Sequence, residues 1–188
     1  MRELALNVMD VAQNSISAKA DLIRLTVEED TAADRLTIRL EDNGCGMTPE
    51  QVKSVVDPFY TTRTTRKVGL GVPLFKMEAE MTGGSFSVWS QKGEGTALTA
   101  VFVPSHVDMI PLGDMAGTVR LLITCNPDLD FVYTRSRDGR SFTLDTRELR
   151  AVLGGEVALS EPEVSEWIAS YLQEQTAVVE GGNEECSL

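Results

Sequence analysis

A single histidine, three cysteines and 6% aromatic residues leave this 188-residue chain short of material for several common chemistries. Cys45, Cys125 and Cys186 are odd in number and far apart, so they match no zinc or disulfide framework and point to a reducing compartment. No apolar run approaches the ~20 residues that span a bilayer, and no secretory leader pattern stands before the first amphipathic stretch. These absences set the expectation of a cytoplasmic protein without membrane contact. Basic residues are also scarce: 17 Lys and Arg against 29 Asp and Glu give a net charge of −12. That balance disfavours a nucleic-acid partner, whose phosphates require cations. The excess is concentrated at one end, since residues 151–188 carry eight glutamates and no Lys or Arg.

What is present begins with a helix. Residues 3–18 lack Pro and Gly, and Leu4, Val8, Val11 and Ala18 recur at helical spacing. Asn7, Asp10, Asn14 and Ser17 then form a polar stripe beside the apolar face. Asp10 and Asn14 are one turn apart and can share one site. Oxygen donors of this kind suit Mg2+, which keeps several waters and takes one or two protein ligands beside substrate phosphates. Alone, the stripe equally describes a solvated helix face.

Leu36, Ile38 and Leu40 alternate with Thr37, Arg39 and Glu41, the pattern of a half-buried strand. Asp42 continues the apolar parity, so its carboxylate points inward at the strand end. An unpaired buried carboxylate is costly. A ligand that donates a hydrogen bond, such as the exocyclic amine of adenine, lowers that cost. Gly44 and Gly46 allow a tight turn and a close backbone approach to a flat base. Asn43-Gly44 is also an ordinary hairpin signal.

Gly69-Leu70-Gly71 leads into a helical segment over 74–81, with Pro73 near its start. A glycine-rich turn at a helix N-terminus offers backbone donors to phosphate, although this spacing is a weak signal alone and no Rossmann unit precedes it. Before it, Thr48-Pro49-Glu50-Gln51 carries a capping-box pattern, and Asp57-Pro58 stops that helix. The run 61–67 follows, with Thr62, Arg63, Arg66 and Lys67, whose cations and hydroxyls can reach β- and γ-phosphates. A solvated loop is the plainer alternative for any one of them.

The stretches Asp10–Asn14, Asp42–Gly46, Gly69–Val72 and Gly93–Thr96 together resemble the Asn box and glycine boxes of the GHKL superfamily, across roughly residues 1–104. Asp57–Arg63 is similar to the phenylalanine box of bacterial sensor histidine kinases; Val72-Pro73 departs from the usual glycine-box pattern. The resemblance implies ATP and Mg2+ as ligands, Asn14 as the metal-binding residue, Asp42 as the adenine reader and Thr96 as a second contact near the base. It also implies that Phe59 anchors a lid over the nucleotide. Asp10 stands where ATPase and Ser/Thr-kinase branches carry a Glu general base.

The fold class expected is α/β: a two-layer sandwich of the GHKL (Bergerat) type with a small appended α+β unit. The expected domains are an ATP-binding unit over 1–106, a linker over 107–116, the appended unit over 117–176, and a disordered acidic tail over 177–188. In the appended unit, 118–124 and 131–135 read as an antiparallel strand pair, Asp138-Gly139 as a hairpin turn, and 146–153 and 162–175 as helices. Sensor kinases carry a phosphoacceptor His on a hairpin before the Asn box; His106, the single histidine, reads instead as a boundary residue without an adjacent acid. The expected function is therefore a histidine-kinase-like ATPase or protein kinase acting on a partner protein or phosphoacceptor in another chain. The alternatives are a non-catalytic ATP-sensing module and an anti-sigma-like Ser/Thr kinase.

Overall fold

Alternation along the strands divides the sheet into a buried and an open face. In β1 (Leu22–Asp30), Ile23, Leu25 and Val27 are buried while Arg24 and Glu28 face solvent. The same parity puts Leu36, Ile38 and Leu40 of β2 (Arg35–Asp42) and Leu98, Ala100 and Phe102 of β4 (Gly95–Phe102) into one core. The computed structural model describes residues 3–57, 71–154 and 157–181. Its strands form one sheet of six, completed by β3 (Ser85–Gln91), β5 (Asp130–Arg137) and β6 (Arg140–Asp145), in the order β3-β4-β2-β1-β5-β6. All neighbours are antiparallel except β1 and β5.

The helices α1 (Leu4–Ser17), α3 (Gly71–Met81), α4 (Met115–Cys125) and α6 (Pro162–Val179) form the second layer. The sequence of contacts across it is α3, α1, α4, α6. Phe75 of α3 is fully enclosed and meets Phe102 at 5.5 Å and Phe86 at 6.4 Å between ring centroids, fixing α3 to the sheet. The short helices α2 (Pro49–Val56) and α5 (Thr146–Val152) lie at the margins. The capping box of α2 forms as its sequence predicts, with Thr48 and Gln51 bonding each other's backbone amides.

Several expectations need correction. Residues 118–124 are part of helix α4, not a strand. Their β-branched composition favours a strand, but Met115, Thr118, Val119, Leu122 and Ile123 are buried at helical spacing, and Asp114 caps the helix by accepting from the Gly117 amide at 2.8 Å. Packing period and cap outweigh intrinsic propensity here. β5 consequently pairs with β1 and β6, and the 131–135 segment extends the main sheet. The hairpin at Asp138-Gly139 is present, with φ of 49° and 83°, as a primed two-residue turn requires. Helix α6 continues to Val179, which is buried, so 177–179 are not a frayed tail. Glu180 lies 3.6 Å from the buried Arg135, which also pairs with Glu29 at 2.7 Å. His106 does have a nearby acid: Asp108 approaches its Nδ1 at 3.7 Å. The segment before α4 is tied to α1, since Leu4 and Ala5 donate to the carbonyls of Pro111 and Leu112.

Candidate functional site: a carboxylate-based cavity at the end of β2

Register assembles the site. Asp42 is the last residue of β2; its partner across β4 is Thr96, and its partner across β1 is Ile23. The second and fourth motifs, more than fifty residues apart in the chain, thus lie side by side. A cavity of about 470 Å³ opens there. Asn14, Asp42, Gly46 and Thr96 line it, with apolar walls from Leu40, Val72, Val88 and Leu98.

The Asp42 carboxylate is held from two sides. The Ser15 hydroxyl donates to Oδ2 at 2.6 Å and the Gly44 amide donates to Oδ1 at 2.9 Å. Each carboxylate oxygen has room for a further donor, so the group is aimed yet still able to accept from a ligand. Ser15 itself is buried, and sequence reasoning missed it. Its position one residue after Asn14 turns it from the polar stripe toward the sheet, a signal legible only once β2 lies under α1.

The loop after Asp42 is not a hairpin, because β2 pairs with β1 and β4 and the chain proceeds to α2. Asn43 instead accepts from the Asp21 and Leu22 amides at 2.8 and 2.9 Å, clamping the start of β1. Cys45 donates its amide to Ala18 and accepts at its carbonyl from Gly93, so the loop is pinned between α1 and the β3–β4 turn. Gly46 has φ +63°, and a Cβ there would lie 1.9 Å from the Gln91 carbonyl oxygen. Its smallness is demanded by this chain's own backbone.

Thr96 belongs to a second small network. Ser90 Oγ accepts from the Met47 amide at 2.8 Å, donates to the Gly95 carbonyl at 2.8 Å, and lies 2.9 Å from Thr96 Oγ1. With the Ser90 proton committed to Gly95, Thr96 donates to Ser90 and keeps acceptor capacity for a ligand or water.

The polar stripe of α1 divides by function. Asn7 is buried and donates its side-chain amide to Glu78 of α3, a helix–helix contact. Asp10 and Asn14 remain exposed, and Asn14 reaches the cavity. Asp10 packs against Gly71: a Cβ on that glycine would fall 2.7 Å from the Asp10 Cβ. The first and third motifs therefore meet at the start of α3, beside the cavity wall formed by Val72. Phe59, Thr62, Arg63, Arg66, Lys67, Gly69 and Leu70 lie outside the described residues.

A larger hollow of about 720 Å³ at the far end of β1 is lined by Glu28, Glu29, Asp30 and Asp138, carboxylates that repel an anionic ligand. Among the described residues no cluster of three or more His, Cys, Asp or Glu side chains could cage a metal. A Mg2+ carried on phosphates needs only one or two protein oxygens, and Asn14 at the cavity mouth fits that requirement.

Fold and site form a two-layer α/β sandwich in which a strand-end carboxylate and a helix-borne amide line one cavity. The model of the histidine kinase-, DNA gyrase B- and HSP90-like ATPase family matches residues 1–106, and the chain belongs to that family, the GHKL superfamily named above. It is 38% identical over 101 residues to the sensor protein SrrB of Staphylococcus aureus (strain NCTC 8325 / PS 47), an alignment covering 51% of this chain and 17% of that protein. The chain thus spans only a small part of the curated relatives it matches. Among solved structures, the N-terminal domain of a DNA repair protein aligns with a TM-score of 0.53 at 13% identity, covering 77% of this chain and 52% of that one. The Aquifex aeolicus MutL ATPase domain complexed with ADP aligns over 98% of both chains at 13% identity, with a TM-score of 0.48. No helix among the described residues is long and apolar enough to cross a membrane.

Proposed function

We propose that this chain binds Mg-ATP and acts as a histidine-kinase-like ATPase or protein kinase on a partner protein. The observation that carries this reading is the Asp42 carboxylate, clamped by Ser15 and Gly44 in a cavity with apolar walls from Leu40, Val72, Val88 and Leu98. A flat base with an exocyclic amine satisfies both features: its faces meet Leu40, Val72, Val88 and Leu98, and its amine donates to Asp42. Thr96 supplies a second polar contact beside the base. Asn14 would hold Mg2+, whose charge offsets that of the phosphates. In the sequence between α2 and α3, Arg63, Arg66 and Lys67 supply the cations that phosphoryl oxygens require. Asp10 is the candidate general base, orienting a water or a substrate hydroxyl.

An ATP-sensing module that changes partner affinity is the second reading, favoured by one feature: an Asp at position 10 is a methylene shorter than the Glu implied by the family pattern. An anti-sigma-like Ser/Thr kinase shares the chemistry of the first reading and differs in its partner. Thermal melting with and without nucleotide tests the shared premise. Mg-ATP at a hundredfold excess over its dissociation constant should stabilise the fold by about 2.7 kcal/mol. Asn14→Ala should abolish the magnesium dependence of that shift. No stabilisation of wild type by ATP overturns the nucleotide reading; an unaltered magnesium dependence in Asn14→Ala overturns the metal assignment alone.

A further inference from the structure

The β6 edge of the sheet, three strands across from Asp42, carries a further concavity of about 480 Å³, between α5, β6 and α6. Its lining is mainly apolar. Val152 is 84% exposed and Trp167 49% exposed, although both are large hydrophobic side chains. Trp167 stacks on Tyr171 with ring centroids 5.1 Å apart and planes 12° from parallel. Val164, Trp167 and Tyr171 stand at i, i+3 and i+7 along α6, so one helix contributes a continuous stripe to the groove wall.

Asp145, Glu148 and Glu163 line this groove; Asp145 is paired with Arg147, whose charge also acts on Glu148, and neither glutamate forms an ion pair among the described residues. Of the nearby cations, Arg24 acts on Asp145 across the sheet and two others are engaged in ion pairs. Arg147 is bound to Asp145 at 2.6 Å, and Arg150 pairs with Asp130 and donates to the Pro127 and Leu129 carbonyls. The wider surface reinforces the bias, because Glu161, Glu166 and Glu174 on or beside α6 are exposed and 151–188 supplies no Lys or Arg. An apolar groove between two helices, rimmed by Glu148 and Glu163 and walled by a stacked Trp–Tyr pair, selects a particular occupant. Its apolar side chains fill the groove, and its ammonium or guanidinium groups meet Glu148, Glu163 and the Trp167 face.

The geometry points to a docking site for a basic amphipathic helix of a partner protein, laid between α5 and α6 with Lys or Arg against Glu148 and Glu163. The residues beyond 181 are a poor occupant, since they carry Glu184 and Glu185 and no cation. The inference stands independently of the nucleotide reading, because no residue of the Asp42 cavity lines this groove.

The test uses the whole chain and two synthetic helical peptides of one Leu pattern, bearing Lys or Glu on the polar face. Binding is followed by calorimetry and by backbone-amide NMR. The Lys peptide should bind one to one, with shifts confined to α5, β6 and α6, and the Glu peptide should not bind. Val152→Asp and the pair Glu148→Gln/Glu163→Gln should each weaken the Lys peptide by roughly tenfold. ATP-induced stabilisation should be unchanged in both variants, which separates failure of this inference from failure of the nucleotide reading. A control pair on the far hollow, Glu28→Gln/Asp30→Gln, should have little effect. Equal weakening by that control, or shifts spread over the whole surface, would reduce the binding to diffuse attraction toward an anionic protein and overturn the proposal. Self-association abolished by Val152→Asp, without peptide binding, would assign the groove to a second copy and overturn it equally.

Discussion

The Asp42 cavity and the α5–α6 groove are nearly equal in volume, about 470 and 480 Å³, and differ in how their carboxylates are held. In the first, apolar walls surround a single carboxylate that a buried hydroxyl and a backbone amide hold in place. Such a group rewards one donor at one position. In the second, apolar side chains extend along a helix; Asp145 at its margin is held by Arg147, while Glu148 and Glu163 sit on an exposed rim and form no ion pair among the described residues. That arrangement rewards a surface pattern and tolerates variation in detail. A clamped charge specifies a small molecule, whereas loose charges around an apolar stripe specify the face of a macromolecule.

The largest effect expected from breaking this contrast lies at Asp10. If it serves as general base, Asp10→Asn should preserve ATP affinity and cut turnover or phosphotransfer by roughly 10²–10⁴-fold. Turnover should be measured with the physiological partner present. Equal, measurable turnover in wild type and variant removes the catalytic role, and negligible turnover in wild type favours the sensor.

Next is Asp42→Asn. Hydrogen bonds to charged groups contribute about 1.5–3 kcal/mol, so ATP affinity should fall roughly ten- to a hundredfold. ADP should suffer about equally, because the contact is to the base. Calorimetry that returns wild-type ATP affinity in this variant eliminates adenine reading by Asp42.

Ser15→Ala probes the clamp itself. Removing a hydroxyl that donates one hydrogen bond should weaken nucleotide by about 0.5–1.5 kcal/mol, several-fold in affinity. Restoring the hydroxyl with Ser15→Thr should recover part of the loss if the site accepts the added methyl. The Lys-peptide affinity at the α5–α6 groove should not change. A matching loss at both cavities would mean that Ser15 supports the fold generally and does not act on Asp42.

The smallest effect concerns acid. The side-chain hydrogen bond from Arg147, first, holds the Asp145 carboxyl below the usual carboxylate range, with help from the Arg147 amide and nearby arginines. A depressed folded pKa stabilises the fold above the unfolded value of about 3.9 and loses that contribution as pH falls through the folded value. Wild type should therefore lose melting temperature more steeply on acidification below about pH 4 than Asp145→Asn does. Parallel acid limbs for the two proteins would show that this cap contributes no acid sensitivity at the groove end.

The legibility of the chain differed between its halves for a physical reason. Alternation in 36–42, the capping box at Thr48 and the amphipathic stretch 3–18 are local patterns, and each appears where the sequence places it. β1 carries the same local signal, since Ile23, Leu25 and Val27 alternate with Arg24, Thr26 and Glu28 as plainly as the residues of β2 do. The 118–124 segment misled because β-branched residues suggested a strand, while the buried period and the Asp114 cap belong to a helix. In the site, Asp42 was legible from strand parity. Ser15 and Ser90 were not, since their roles depend on which side chain lies across the gap.

The sequence by itself determined the periods, the cap, the hairpin at Asp138-Gly139 and the inward phase of Asp42, because these follow from backbone geometry over a few residues. Only the tertiary structure decided that Asp42 faces Thr96 and lies under Ser15, that Asn7 leaves the polar stripe for Glu78, and that Asp10 abuts Gly71. It also decided that β5 joins β1 in parallel, extending one sheet where an appended unit was expected. Those outcomes depend on register between distant strands and on packing between helices. Burial of a shared core sets both, and no short stretch of sequence carries that information.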